Sequence, residues 1–214
     1  MRLNISHLIP LPLQEEHNAY NATVWEQDMV FNQGEQVLVL GPSGSGKTLL
    51  MQMLYGIRGD YGGTIHWSAY NLKEISKAQL SQLRAASISM VFQDIRLFDE
   101  LSVWDNVDVK RRLTDTVPAY DAEKWLVRLG LKDKLEVPVS VLSLGEQQRV
   151  AIVRALVQPF EWLLMDEPFS HLDFYNRQRA VTLIKEITAY TRAGLIVTSV
   201  VENDDFVYDK KVLL

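Results

Sequence analysis

The feature that most constrains this chain is a glycine-rich octet, Gly41-Pro42-Ser43-Gly44-Ser45-Gly46-Lys47-Thr48. It lies between the apolar run Val37-Leu38-Val39-Leu40 and the segment Leu49-Leu50-Met51-Gln52-Met53-Leu54. The arrangement reads strand, loop, helix, and that context gives the spacing G-x-x-x-x-G-K-[ST] its meaning. Glycines let successive backbone N–H groups turn inward toward a polyphosphate, and a helix N-terminus adds positive potential. Lys47 is expected to reach the β- and γ-phosphates and the Thr48 hydroxyl to ligate Mg²⁺. A turn that only joined a strand to a helix would need none of this chemistry. The octet therefore predicts a nucleoside triphosphate site.

The chain has 214 residues, enough to bury a full core, and is read as one domain. A net charge of −5 argues against a nucleic-acid partner, which would demand clustered Lys and Arg. The densest basic run, Lys110-Arg111-Arg112, is read as a solvated helix face. The absence of cysteine excludes disulfides and thiolate metal sites. Met1 to Ser6 carries no apolar signal-peptide core, and no run approaches the roughly 20 apolar residues that a bilayer span requires. The expectation is a soluble, cytoplasmic protein that meets a membrane only through a partner.

Residues 3–13, broken by Pro10 and Pro12, suit an edge strand ending in a loop. Ala22 to Phe31 suits a second strand, and Asn32-Gln33-Gly34-Glu35 a turn into the strand Gln36–Leu40. Tyr20 is open to two readings, an adenine-stacking platform or an ordinary loop tyrosine. Gly56 to Gly63 reads as turns, Thr64 to Trp67 as a short strand and Lys73 to Ala86 as an amphipathic helix. Ile88 to Phe92 reads as a buried strand ending at Gln93, and residues 95–157 as mostly helical, with 103–113, 120–130 and 145–157 periodic. Trp162 to Glu167 is an apolar strand capped by acids; a helix at 174–193 and strands at 195–199 and 207–214 complete the chain. Strands alternating with helices predict a parallel α/β sheet.

Asp166-Glu167 falls where open parallel sheets bind ligands, at the carboxyl end of a strand. One carboxylate can hold Mg²⁺ opposite Thr48, and the other can orient or deprotonate a water. Three further segments occur in a telling order: Gln93, the run Leu142-Ser143-Leu144-Gly145-Glu146-Gln147-Gln148-Arg149-Val150, and Ser170-His171-Leu172-Asp173. Together with the octet and the acidic pair they resemble the ABC ATPases across essentially the whole chain. Phe92 to Phe98 and Leu101 to Val107, with glutamate at 146, look like the FtsE, LolD and MacB group.

The resemblance implies a P-loop NTPase of ABC type. It would have a RecA-like parallel-sheet core, an N-terminal antiparallel β region and a helical subdomain, with the core lobe at 1–93 and 158–214 and the helical part at 94–157. It implies Gly41 to Thr48 as the ATP-binding loop in cis, with Ser143, Gly145 and Glu146 completing the site of a second, head-to-tail subunit. Glu167 and Gln93 would be catalytic, and Thr48, Gln93 and Asp166 would hold Mg²⁺. The partners implied are an integral membrane subunit and a second ATPase subunit, alike or different, at the cytoplasmic face of the membrane.

Two departures from that pattern stand out. The first signature glycine is replaced by Leu144, whose side chain must point away or obstruct the interface. The expected switch histidine is replaced by Val200, and no histidine follows His171. Losing one positioned donor to developing charge costs about 2.7–4 kcal/mol, a roughly hundred- to thousandfold slowing. Two readings follow: an ATPase subunit with slowed hydrolysis, or a regulatory nucleotide-binding subunit with negligible turnover. A soluble ABC protein acting on DNA or ribosomes would carry an insertion or second cassette that this chain lacks.

Overall fold

A computed structural model describes residues 1–11, 25 and 27–214. Tyr20 and most of the expected strand from Ala22 lie outside the described residues. Two sheets organise the chain. The first is antiparallel, built from β1 (Leu3–Pro10), β2 (Met29–Phe31), β4 (Tyr61–Trp67) and β5 (Tyr70–Asn71), in the order β2-β1-β4-β5. The second joins β3 (Gln36–Leu40), β6 (Ile88–Val91), β7 (Trp162–Met165), β8 (Gly194–Ser199) and β9 (Lys210–Leu213), in the order β6-β7-β8-β3-β9. Every neighbouring pair in this second sheet is parallel.

The helices are α1 (Lys47–Leu54), α2 (Lys77–Ala86), α3 (Val103–Arg112), α4 (Ala119–Arg128), α5 (Leu144–Leu156) and α6 (Phe174–Thr191). The parallel sheet divides two cores by the two-residue alternation of its strands. Leu163, Met165, Leu195 and Val197 face a layer that includes Val107, Leu126, Val153 and Ile184 from α3 to α6. Trp162, Leu164, Ile196 and Val39 face the opposite layer, with Met51 and Met53 of α1, Leu83 of α2 and Ile5, Ile65 and Trp67 of the antiparallel sheet. Because both faces are covered, β6 and β7 are buried at every residue, which explains their unbroken apolar sequences.

Several expectations are corrected. Residues 3–10 are not an edge strand, since β1 pairs with β2 on one side and β4 on the other. Pro10 is tolerated because it sits at the strand end, opposite Tyr61, where a missing N–H costs least. The turn-rich reading of 56–63 ran too far, for Tyr61 to Gly63 already belong to β4. The helix expected from Lys73 begins at Lys77, because Ser76 and Gln79 close a capping box. Lys110-Arg111-Arg112 is not a plain solvated face. Arg111 is buried and pairs with Asp108 at 2.7 Å and Asp115 at 2.9 Å, and Arg112 pairs with Asp108 at 2.6 Å. Carboxylates one turn away pair with the two arginines internally.

Candidate nucleotide site

The parallel order brings the carboxyl ends of β3, β6, β7 and β8 to one edge of the sheet. The octet follows β3, Gln93 follows β6, Asp166-Glu167 follows β7, and Ser199 ends β8 with Val200 after it. Residues distant in sequence therefore meet. Ser43, Gly44, Gly46, Lys47, Thr48, Leu49, Gln93 and Glu167 line one open pocket.

Its floor has the features that an anion site needs. Gly46 caps α1 with φ 96°, a conformation that suits glycine, and no side chain caps the helix. The first-turn N–H groups of α1 thus lack a side-chain acceptor, and no acidic residue stands in that turn. Lys47 is 4% exposed, and its Nζ donates to the Gly41 and Pro42 carbonyls, each at 2.8 Å. The same ammonium lies 3.2 Å from Glu167 Oε1. Ser45 Oγ is buried without a hydrogen-bond partner.

Thr48 and Gln93 of the pocket lining, with the buried Asp166 behind them, offer a set of oxygen ligands. Thr48 Oγ1 donates to Gln93 Oε1 at 2.9 Å. Asp166 is buried, its Oδ1 accepts the Thr198 hydroxyl at 2.8 Å, and its Oδ2 has no hydrogen-bond partner. Burial pushes the Asp166 carboxyl above the usual carboxylate range, against the pull of the Thr198 and Thr48 hydroxyls. Among the described residues no group of three or more His, Asp or Glu side chains is placed to hold a metal ion. A hydroxyl, an amide oxygen and one carboxylate with an orphaned oxygen instead suit a hard cation that takes its remaining ligands from water and phosphate.

Of the expected site residues, the structure brings the octet, Gln93, Asp166 and Glu167 together and sets Ser143, Gly145 and Glu146 apart. The latter three begin α5 and line no part of the pocket. Ser143 caps α5: its hydroxyl accepts the Glu146 N–H at 3.3 Å, and the Glu146 carboxylate accepts the Ser143 N–H at 2.9 Å. Lys134 pairs with Glu146 and holds its carboxyl below the usual range. Gly145 is required for packing within the chain, because a Cβ there would stand 2.7 Å from the His171 carbonyl oxygen. Leu144 is 55% exposed, so its side chain points to solvent and leaves the helix start undistorted.

Two residues were not anticipated. Thr198 accepts the Glu167 N–H at 2.9 Å while donating to Asp166. Gln148, 1% exposed, contacts the Glu167 carbonyl and the loop after it. Thr198 interrupts an otherwise apolar buried stretch, a signal visible in the sequence, whereas Gln148 lies inside the polar run Glu146-Gln147-Gln148-Arg149 and carries no such signal. At the end of β8, Val200 is half exposed and Ser199 Oγ donates to the Val201 carbonyl at 2.6 Å.

Comparison with known proteins agrees with this geometry. Residues 26–170 match the family described as ABC transporter. An uncharacterized ABC transporter ATP-binding protein of Mycobacterium tuberculosis is 33% identical over 168 residues, which is 77% of this chain and 51% of that protein. The chain thus spans about half the length of the first curated relatives it matches. The lipoprotein-releasing system ATP-binding protein LolD of Legionella pneumophila is 32% identical over 176 residues, covering 80% of this chain and 77% of that one. Among solved structures, the ATP-binding cassette MJ0796, in a dimeric post-hydrolysis state bound to ADP and Pi, superposes with a TM-score of 0.76. It is 22% identical, with 92% of this chain and 87% of that chain covered.

Proposed function

The chain belongs to the ABC transporter ATP-binding family, in the group of LolD and MacB, and on that premise we propose that it binds and hydrolyses Mg-ATP to drive a membrane partner. The observation that carries the reading is the convergence of Lys47, Thr48, Gln93 and Glu167 on one pocket.

The α1 amides and Lys47 take the β- and γ-phosphates, an arrangement in which Lys47 must turn from Glu167 toward the nucleotide. Mg²⁺, when bound, supplies charge neutralisation of the phosphate oxygens; Thr48, Gln93 and Asp166 are the residues that would hold it. Glu167 orients the attacking water and accepts its proton at the carboxylate. Within one chain, Ser143, Gly145 and Glu146 stand apart from this pocket, so a second subunit brings its own α5 to the nucleotide, head to tail. Residues 1–93 and 158–214 form the nucleotide-binding lobe and 94–157 a helical lobe that receives the integral membrane subunit, at the cytoplasmic face. Among the described residues no helix is long and apolar enough to cross a membrane. The work driven is of the lipoprotein- or amphiphile-export or force-transmitting type.

A second reading is favoured by one observation: β8 ends in Thr198-Ser199 and Val200 follows it, with no imidazole. On that reading the chain binds ATP, closes on its partner and turns over negligibly. Phosphate release by wild type beside Glu167→Gln decides between them. Turnover above the variant supports a slowed ATPase; equal background rates support the regulatory subunit.

A further inference from the structure

Glu167 stands on left-handed backbone, φ 44°, a conformation that a residue with a side chain keeps only where its surroundings over-determine it. Two side chains from separate elements grip its peptide group. On the N–H side, Thr198 Oγ1 of β8 accepts the Glu167 amide at 2.9 Å and donates to Asp166 Oδ1 at 2.8 Å. On the carbonyl side, Gln148 Nε2 of α5 points to the Glu167 oxygen and to Ser170 Oγ, each at 3.4 Å, while its Oε1 accepts the His171 N–H at 3.0 Å. The Glu167 carbonyl also receives the Ser170 N–H at 3.3 Å, closing a turn. Gln148 and Thr198 are each 1% exposed.

We propose that Gln148 and Thr198 are positioning residues for Glu167, holding its carboxylate over the phosphate loop beside Lys47 from two different elements. Thr198 fixes the amide side. Gln148 fixes the carbonyl side and the loop that follows. An amide on the buried side of α5, in line with Ile152 and Leu156 one and two turns on, contributes little as packing, since an apolar chain of its length would fill the space. What it supplies is three hydrogen bonds to a single loop. The first turn of α5 abuts the same loop, as the 2.7 Å approach of a Gly145 Cβ to the His171 oxygen requires. Any displacement of the Ser143–Gly145 end is therefore passed through Gln148 to Glu167. This rests on the reading of Glu167 as the group that acts on water.

The test compares Gln148→Met, Thr198→Val and Thr198→Ser with wild type, each close in volume to the residue it replaces. Gln148 does not touch Asp166, so its variant separates positioning of Glu167 from any change at the metal ligand. Expected is a fall in kcat of about tenfold or more in Gln148→Met and Thr198→Val, KM for ATP within about threefold, and near-complete rescue in Thr198→Ser. Amide exchange of the peptides holding Glu167 and His171 should quicken in Gln148→Met while the phosphate loop stays unchanged. Unaltered kcat with unaltered exchange, or a loss of kcat that only follows lost ATP affinity, overturns the proposal. If wild type turns over no faster than Glu167→Gln, the hydrolytic reading fails on its own. The exchange measurement then decides, and unchanged protection at Glu167 and His171 sinks the positioning claim.

Discussion

Lys47 Nζ lies 3.2 Å from Glu167 Oε1, so the lysine that would grip phosphate is paired with the carboxylate that would act on water. Both are well shielded, with side chains 4% and 19% exposed. The pair therefore competes with any incoming phosphate for the same ammonium. Neutralising the carboxylate removes the competitor and one repulsive charge near the anion site. Glu167→Gln should thus bind ATP more tightly than wild type, by roughly three- to tenfold, about 0.7–1.4 kcal/mol. Titration with a fluorescent ATP analogue measures it; equal affinities would mean the pair does not restrain the lysine.

Asp166 is the carboxylate of the site that burial displaces from its usual range. Its carboxyl is raised by burial, so the fold favours the neutral form. The stability tied to it is complete below the ordinary aspartate range and is lost as pH rises through the folded value. Asp166→Asn keeps an acceptor for Thr198 without a charge to bury. The variant should melt a few degrees above wild type at neutral pH and show a flatter pH profile. Magnesium should add to the thermal stabilisation that ATP gives wild type, and add little in the variant. Melting curves with and without magnesium check both parts.

Lys110 is pushed down to about 8 by burial and by the neighbouring Arg154 charge. Between that value and the ordinary lysine value of 10.5 the unfolded chain holds more protons than the folded one, so stability should rise with pH across this window. Lys110→Met should be more stable than wild type at neutral pH and lack the rise. Denaturant midpoints at a series of pH values give the answer.

Gly145→Ala places a Cβ 2.7 Å from the His171 carbonyl oxygen, a backbone atom that cannot swing aside. The cost should be about 1–3 kcal/mol, a melting-point drop of several degrees. Leu144→Ala, at an exposed site, should change stability by less than about 0.5 kcal/mol. The two variants side by side separate the packing glycine from the position next to it.

Much of this was legible from local pattern. The octet is short-range chemistry, and the buried strands at 88–91 and 162–165 declare themselves because both faces are covered. What was not legible depends on partners distant in sequence. Pro10 and Pro12 suggested an edge, yet β1 is paired on both sides, because Pro10 falls where the ladder ends. Gly145 was implied as part of the site of a second subunit, and its close approach to His171 within the chain shows only in the fold. Arg111 is the exception, since Asp108 and Asp115 are only three and four residues away and pair with it along the helix. Thr198 was visible as a polar residue in an apolar stretch, while Gln148 was hidden in the polar run 146–149, and only the packing of β8 and α5 against the loop after β7 shows that they meet at Glu167.

The central claim, that the loop amides and Lys47 hold a triphosphate, is tested most directly by equilibrium binding of ATP with and without magnesium to wild type and to Lys47→Ala. The account predicts magnesium-dependent binding by wild type and a loss of affinity of about a hundredfold or more in the variant, some 2.7 kcal/mol or above. Equal affinity in the two proteins, or no magnesium-dependent binding by wild type, would contradict it.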